Sequence, residues 1–152
     1  MTGPSLGVGL DLVDGDLVLD AGARDLAVAR QEEMLVQALT GAVATQLGSD
    51  RMNASFGFDR LAIGAYAHGM DARQAYVKLQ LVRALTADRR VREVRDVVFE
   101  DEARFAALAG IDEETARAIA DATRRSRQYT VHVTIETVAG DVLEIPIGET
   151  GA

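Results

Sequence analysis

The chain of 152 residues contains no cysteine, and its sixteen basic residues comprise fifteen arginines and one lysine, Lys78. The missing cysteines exclude disulfides, thiolate metal sites and cysteine nucleophiles. The shortage of lysine reads mainly as coding bias, although arginine also suits planar, bidentate pairing at protein contacts. No apolar run approaches the roughly 20 residues of a membrane span. The first residues lack a basic n-region and a long apolar h-region, so a secretory signal is not expected. There are two histidines, His68 and His132, with no His-x-x-x-His pair and no calcium loop, so no metal is expected. A Gly-x-Ser-x-Gly elbow is missing, and so are both glycine-rich phosphate signatures, so no cofactor is expected.

What is abundant is negative charge. Asp and Glu number 24 against 16 Lys and Arg, a net charge of -8. Such a surface argues against nonspecific nucleic-acid binding and against docking on an anionic lipid surface. Acidic neighbours occur at Glu32-Glu33, Glu100-Asp101-Glu102 and Glu113-Glu114. A glycosidase needs two carboxyls facing each other at about 5–9 Å, one with a raised pKa in an apolar pocket. Each group here is contiguous in sequence near the end of an element, where solvated capping is the default. No catalytic residue is nominated.

An apolar fraction of 48% supports a single folded domain over 1–152. Residues 1–29 read as an extended arm or hairpin, with Asp14-Gly15 between the short apolar runs at 10–13 and 17–19. Each run is short and acidic, so the arm should lean on something else. A helix is expected from about Arg30 to Leu47, with Val36, Leu39, Val43 and Leu47 at helical spacing and Gly48 to end it. Gly41 inside it reads either as a site of close packing or as a neutral surface glycine.

A loop then leads to a short helix from Asp59 to His68, with Phe56 and Phe58 as anchors. His68 stands where a cation suits the helix dipole. Asp71 should cap a helix over 72–87, with Gln74 completing a capping box. Val77, Leu81, Ala84 and Leu85 form its stripe, and Leu79 and Val82 widen it. After the charged corner Asp88-Arg89-Arg90, residues 91–99 read as a strand and 101–128 as a helical insertion, with its helix near 112–127. Tyr129 to Thr137 alternates strictly, Ala139-Gly140 turns the chain, and Leu143, Ile145 and Ile147 alternate again. On this alternation His132 falls on the exposed side. Pro146 cannot donate to a ladder, which puts the last strand at a sheet edge, open to a strand from another chain. The expected fold is α+β: N-terminal helices packed on a small C-terminal antiparallel sheet of about three strands ending in a β-hairpin.

The order Gln37-Ala38-Leu39, Thr45-Gln46-Leu47-Gly48, Asn53-x-x-Phe56-Gly57-Phe58-Asp59, then Ala84-Leu85 leading to Arg90-Val91 resembles one family. It is the small baseplate wedge protein of contractile phage tails, with relatives in contractile injection systems. The likeness covers about Leu17 to Val98 and, more weakly, the terminal hairpin. That family often carries Glu-Pro-Arg where Asp88-Arg89-Arg90 stands, so the acid and the last arginine match in character and the proline is missing.

The resemblance implies a structural role without catalysis, in which Asp88, Arg89 and Arg90 dock the subunit on the helical core bundle of the wedge. It also implies that the strand carrying Leu143, Ile145 and Ile147 accepts strands of the sheath protein. Cytoplasmic assembly and six copies per particle follow from the same likeness. The family's frequent label, tail lysozyme, leaves a peptidoglycan hydrolase as the alternative. A solvated helix-to-strand turn would use the same corner residues without any partner.

Overall fold

The computed structural model describes residues 4–22, 24–66, 69–126 and 129–148. Before any helix, the chain forms three antiparallel two-stranded ladders. Strand β1 (Val8–Leu10) pairs with β6 (Val28–Arg30), β2 (Leu12–Val13) with β3 (Asp16–Leu17), and β4 (Leu19–Asp20) with β5 (Asp25–Leu26). Asp14 and Gly15 hold φ of 52° and 82°, the two positive values that a tight two-residue hairpin turn requires. The ladders meet where Asp11 N–H donates to Ala27 O, Ala27 N–H to Val18 O and Val18 N–H to Asp11 O. The short apolar runs flanking Asp14-Gly15 thus become part of a branched cluster.

Helix α1 (Glu32–Ala44) buries Leu35, Leu39, Ala42 and Val43, a stripe at the expected spacing. It ends before Gly48, because the chain beyond it finds other partners. Phe58 N–H donates to Thr45 O and Leu47 N–H to Phe58 O, so Gln46 and Phe58 form a parallel bridge. Gly57 makes that bridge possible: its φ is 110°, and a Cβ there would stand 2.6 Å from Thr45 O. Helix α2 (Arg60–Tyr66) follows; His68 lies outside the described residues. Helix α3 (Met70–Thr86) starts from Gly69 rather than Asp71, which sits in its first turn. Gln74 closes no capping box; its amide donates to Asp101 Oδ2 at 3.0 Å. Val77, Leu81 and Leu85 are fully buried, whereas Leu79 is 61% exposed.

Strands β7 (Val91–Phe99), β8 (Val131–Thr137) and β9 (Val142–Ile147) make one antiparallel sheet in the order β7-β8-β9. In β8 the residues Val131, Val133, Ile135 and Thr137 are buried in strict alternation. Val131, Val133 and Ile135, together with Val97 and Ile145, pack against Leu35, Leu39 and Leu81 of α1 and α3 in the main core. The other face carries a smaller core of Val98, Phe105 and Ala116 under α4 (Phe105–Ala109) and α5 (Glu113–Ser126). His132, expected to be exposed, is half-buried there, its ring edge-on to Phe105 at 5.3 Å. Asp112 caps α5 by accepting the Thr115 N–H at 2.7 Å.

The expected arrangement of helices first and one terminal sheet is therefore overturned. Among the described residues, five helices and nine strands in four small sheets interleave, in a mixed α and β fold. Six strands precede α1, and two helices divide β7 from β8. The physical reason is length: strands of two or three residues are too short to show alternation, and they exist through hydrogen bonds to distant backbone.

The two glycines of opposite circumstance supply a test. Gly57→Ala should cost about 2–3 kcal/mol, since it adds a clash to a disfavoured φ. Gly41 is exposed within α1, and a Cβ added there would meet nothing within 4 Å, which supports the neutral surface reading. Gly41→Ala should therefore stabilise by about 0.5–1 kcal/mol. Urea titration of both variants checks the pair, and equal effects of the same sign would refute this account.

Candidate interaction surface

The charged corner is turned inward on its own chain. Asp88 accepts three hydrogen bonds from Arg90: from its Nη2 at 2.7 Å, its Nε at 3.0 Å and its backbone N–H at 3.0 Å. The remaining arm of the guanidinium, Nη1, donates to the carbonyl of Leu6 at 2.7 Å. Only 25% of the Arg90 side chain and 23% of the Asp88 side chain are exposed. The Arg90 hydrogen bonds hold the Asp88 carboxyl below its ordinary pKa, and the same pairing raises that of Arg90. Arg89, by contrast, is exposed. Of the three corner residues, two are occupied in fastening the N-terminal segment, and Arg89 is left facing outward.

That segment is fastened twice more. Leu6 N–H donates to Gln31 Oε1 at 2.9 Å, and Gln31 N–H donates to Gly7 O at 2.8 Å. Gln37 on α1 takes the Leu12 N–H on its Oε1 and gives its Nε2 to Leu10 O, both at 2.9 Å. Leu6 itself is buried in the main core. Sequence reasoning did not foresee the roles of Gln31 and Gln37. A glutamine beside an apolar stripe was the available signal, and it is a weak one.

At the opposite margin lies β9. Its alignment with β8 is read from the turn: Thr137 N–H donates to Asp141 O at 2.9 Å, which makes that pair hydrogen-bonded. Alternate pairs along an antiparallel ladder then follow, so Leu143, Ile145 and Ile147 direct their backbone groups to β8. Their side chains are buried or half-buried in the main core. The outward groups belong to Val142, Glu144 and Pro146, all exposed. Pro146 stands opposite His132 in a position whose missing N–H would have pointed away from the sheet. The edge placement expected from Pro146 is what the structure has. The surface that could meet a partner moves from Leu143, Ile145 and Ile147 to their neighbours.

Between the N-terminal ladders, α1 and β9 runs a groove of about 910 Å³. Leu12, Val36, Val142 and Leu143 contribute apolar surface to it, and Asp11, Asp14, Glu32, Glu33 and Glu144 contribute carboxylates. Nearby, seven large apolar side chains between Val8 and Val28 are exposed, with Leu19 the most at 71%. Such a concentration is unusual for a surface with no partner.

The acidic run Glu100-Asp101-Glu102 has local partners. Glu100 is buried, and its carboxylate accepts the Thr130 N–H at 3.1 Å. Desolvation raises its pKa, partly offset by hydrogen bonds that include Thr123. Glu102 accepts the Phe99 N–H at 3.0 Å, and Asp101 accepts from Gln74. Among the described residues no group of three or more His, Asp or Glu is placed to hold a metal ion. None of the described helices is long and apolar enough to cross a membrane.

Arg90→Ala should cost about 1–3 kcal/mol, because it strips charge-assisted bonds from Asp88 and the Leu6 carbonyl. Arg90→Lys should recover little, since an ammonium cannot span both carboxylate oxygens and the carbonyl. Full recovery by lysine would sink the forked geometry.

Among the shifted carboxyls, Asp88 and Glu100 predict opposite pH trends. Asp88, lowered, contributes stability that is present above about pH 4 and lost as pH falls through its folded value. Glu100, raised, contributes most below about pH 4 and progressively less as pH rises through its folded value. Glu100→Gln should therefore flatten the decline on the neutral side and leave the acid limb unchanged. Chemical denaturation across pH 3 to 8 reads both limbs.

No family model matches the chain, and no curated protein matches it, so the surface stands on its own chemistry.

Proposed function

We propose that the protein is a structural subunit that joins a larger assembly through the open edge of its three-stranded sheet. The observation that carries this reading is β9, which offers the outward N–H and C=O groups of Val142 and Glu144 with no further strand beside it among the described residues. An unpaired edge next to exposed apolar side chains is a ready template for a strand from another chain. The likeness of residues 17–98 to the baseplate wedge proteins of contractile tails suggests the assembly: a baseplate of a phage tail or contractile injection system. Its partners would be other wedge subunits and the sheath protein, in six copies. In this region the structure runs α1, the Gln46–Phe58 bridge, α2, α3, the corner and β7.

Within this reading the corner has a different task from direct docking. Asp88 and Arg90 hold the N-terminal ladders in place, and Arg89 is the corner residue free to meet the wedge core. Glu144→Pro removes an outward donor while sparing the ladder to β8. It should leave thermal unfolding within a few degrees of the parent and abolish recovery of the chain with sheath and wedge subunits. Electron images of particles purified through a tagged copy provide the second arm. Images in which β9 and Arg89 both face solvent, or recovery of the tagged chain with no particle attached, would overturn the assembly reading.

One observation favours a second reading, a peptidoglycan hydrolase. Glu100 is a buried carboxyl with a raised pKa beside a cleft that Glu113 and Asp121 also line. A raised carboxyl is what a general acid needs. Against it, Glu100 already holds the backbone of Thr130, a structural use that explains its burial. Clearing of purified cell walls by the parent chain, lost in Glu100→Gln, would decide for the enzyme.

A further inference from the structure

The groove beside β9 has a charge character that the assembly reading does not explain. Five carboxylates line it, Asp11 and Asp14 from the hairpin, Glu32 and Glu33 from α1 and Glu144 from β9, and no Lys or Arg joins them. None of the five is ion-paired among the described residues, although eight such pairs form elsewhere there. The helix dipole favours Glu32 and Glu33 where they stand but does not account for the other three. The floor is apolar and partly bare: Leu12 is 41% exposed and Val142 51%.

We infer that this groove receives a cationic amphipathic segment of a partner protein, with basic side chains toward the carboxylates and apolar ones on Leu12 and Val142. The inference builds on the assembly reading by giving the partner its chemistry. An extended segment fits on two counts. Its side chains alternate, as an acidic rim over an apolar floor demands, and its backbone would find the outward groups of Val142 and Glu144. A polyamine would satisfy the rim and leave the floor in water. A second copy of this chain is disfavoured, because its own edge and ladders carry the same negative charge.

The test uses the full chain and two blocked peptides, one alternating Lys and Val, the other Glu and Val. Fluorescence anisotropy measures binding, and amide exchange measures protection at Val142 and Glu144. The Lys-Val peptide should bind at least about tenfold more tightly than its Glu-Val counterpart. Neutralising the groove with Glu32→Gln/Glu33→Gln should weaken it about three- to tenfold. Neutralising a matched pair in the first turn of α5, Glu113→Gln/Glu114→Gln, should leave it unchanged.

Equal weakening by both double variants would mean attraction to net charge alone and would overturn the inference. Equal binding and equal β9 protection by both peptides would also overturn it, while leaving strand addition standing. Lys-Val binding that depends on Glu32 and Glu33 without protecting β9 would support the cationic groove and remove strand addition. Binding of neither peptide would overturn both.

Discussion

One guanidinium sets the architecture. Arg90 grips Asp88 with two nitrogens and reaches the carbonyl of Leu6 with a third, across 84 positions of sequence. The ladders ahead of α1 are only two or three residues long and have too little apolar burial to persist without such ties to the rest of the chain. With the reach of Arg90, Leu6 is drawn into the main core and the ladders are set beside α1, where Gln31 and Gln37 complete the attachment. The wall of the groove is thus held by a residue far from it in sequence. Gly7 lies so close to the guanidinium that a Cβ would come within 2.9 Å of Nη1.

The two faces of the sheet divide the labour. On one, α1 and α3 bury the apolar alternation of β8 in the main core. On the other, α4 and α5 cover Val98 and His132 and enclose Glu100 at the end of β7. Burying a carboxyl costs free energy unless its oxygens find donors, and the Thr130 N–H supplies one as the chain enters β8. Glu100 is accordingly best understood as the tie that returns the chain from the helical insertion to the sheet.

Periodic elements were legible in the sequence. The bounds of β7 match the strand expected over 91–99, those of β9 fit the alternation of Leu143, Ile145 and Ile147, and α1, α3 and α5 start and stop within a few residues of their apolar stripes. The hairpin at Asp14-Gly15 was legible because only certain residues tolerate two positive φ values in succession. What escaped was whatever depends on distant partners. The ladders at 8–30 are specified by contacts with residues 31, 37 and 90, and α4 is a single turn of five residues fixed by burial of Phe105. The charged corner was recognised as a special place, but its direction was not, since an arginine aimed at a neighbour and one aimed at its own chain look alike in sequence. Similarly, alternation in β9 marked Leu143, Ile145 and Ile147, while the outward groups belong to the residues between them.

Pro146 has an effect that reaches beyond this chain. A bare edge tends to recruit strand upon strand, and runaway stacking of that kind ends in fibres. On β9 the row of outward donors extends through Glu144 and stops, because the ring at 146 has no hydrogen to give. An incoming ribbon can therefore zip for only a short distance before it meets a blunt end. Any growth along this edge would stop after a short stretch, so the missing hydrogen guards the chain against runaway polymerisation.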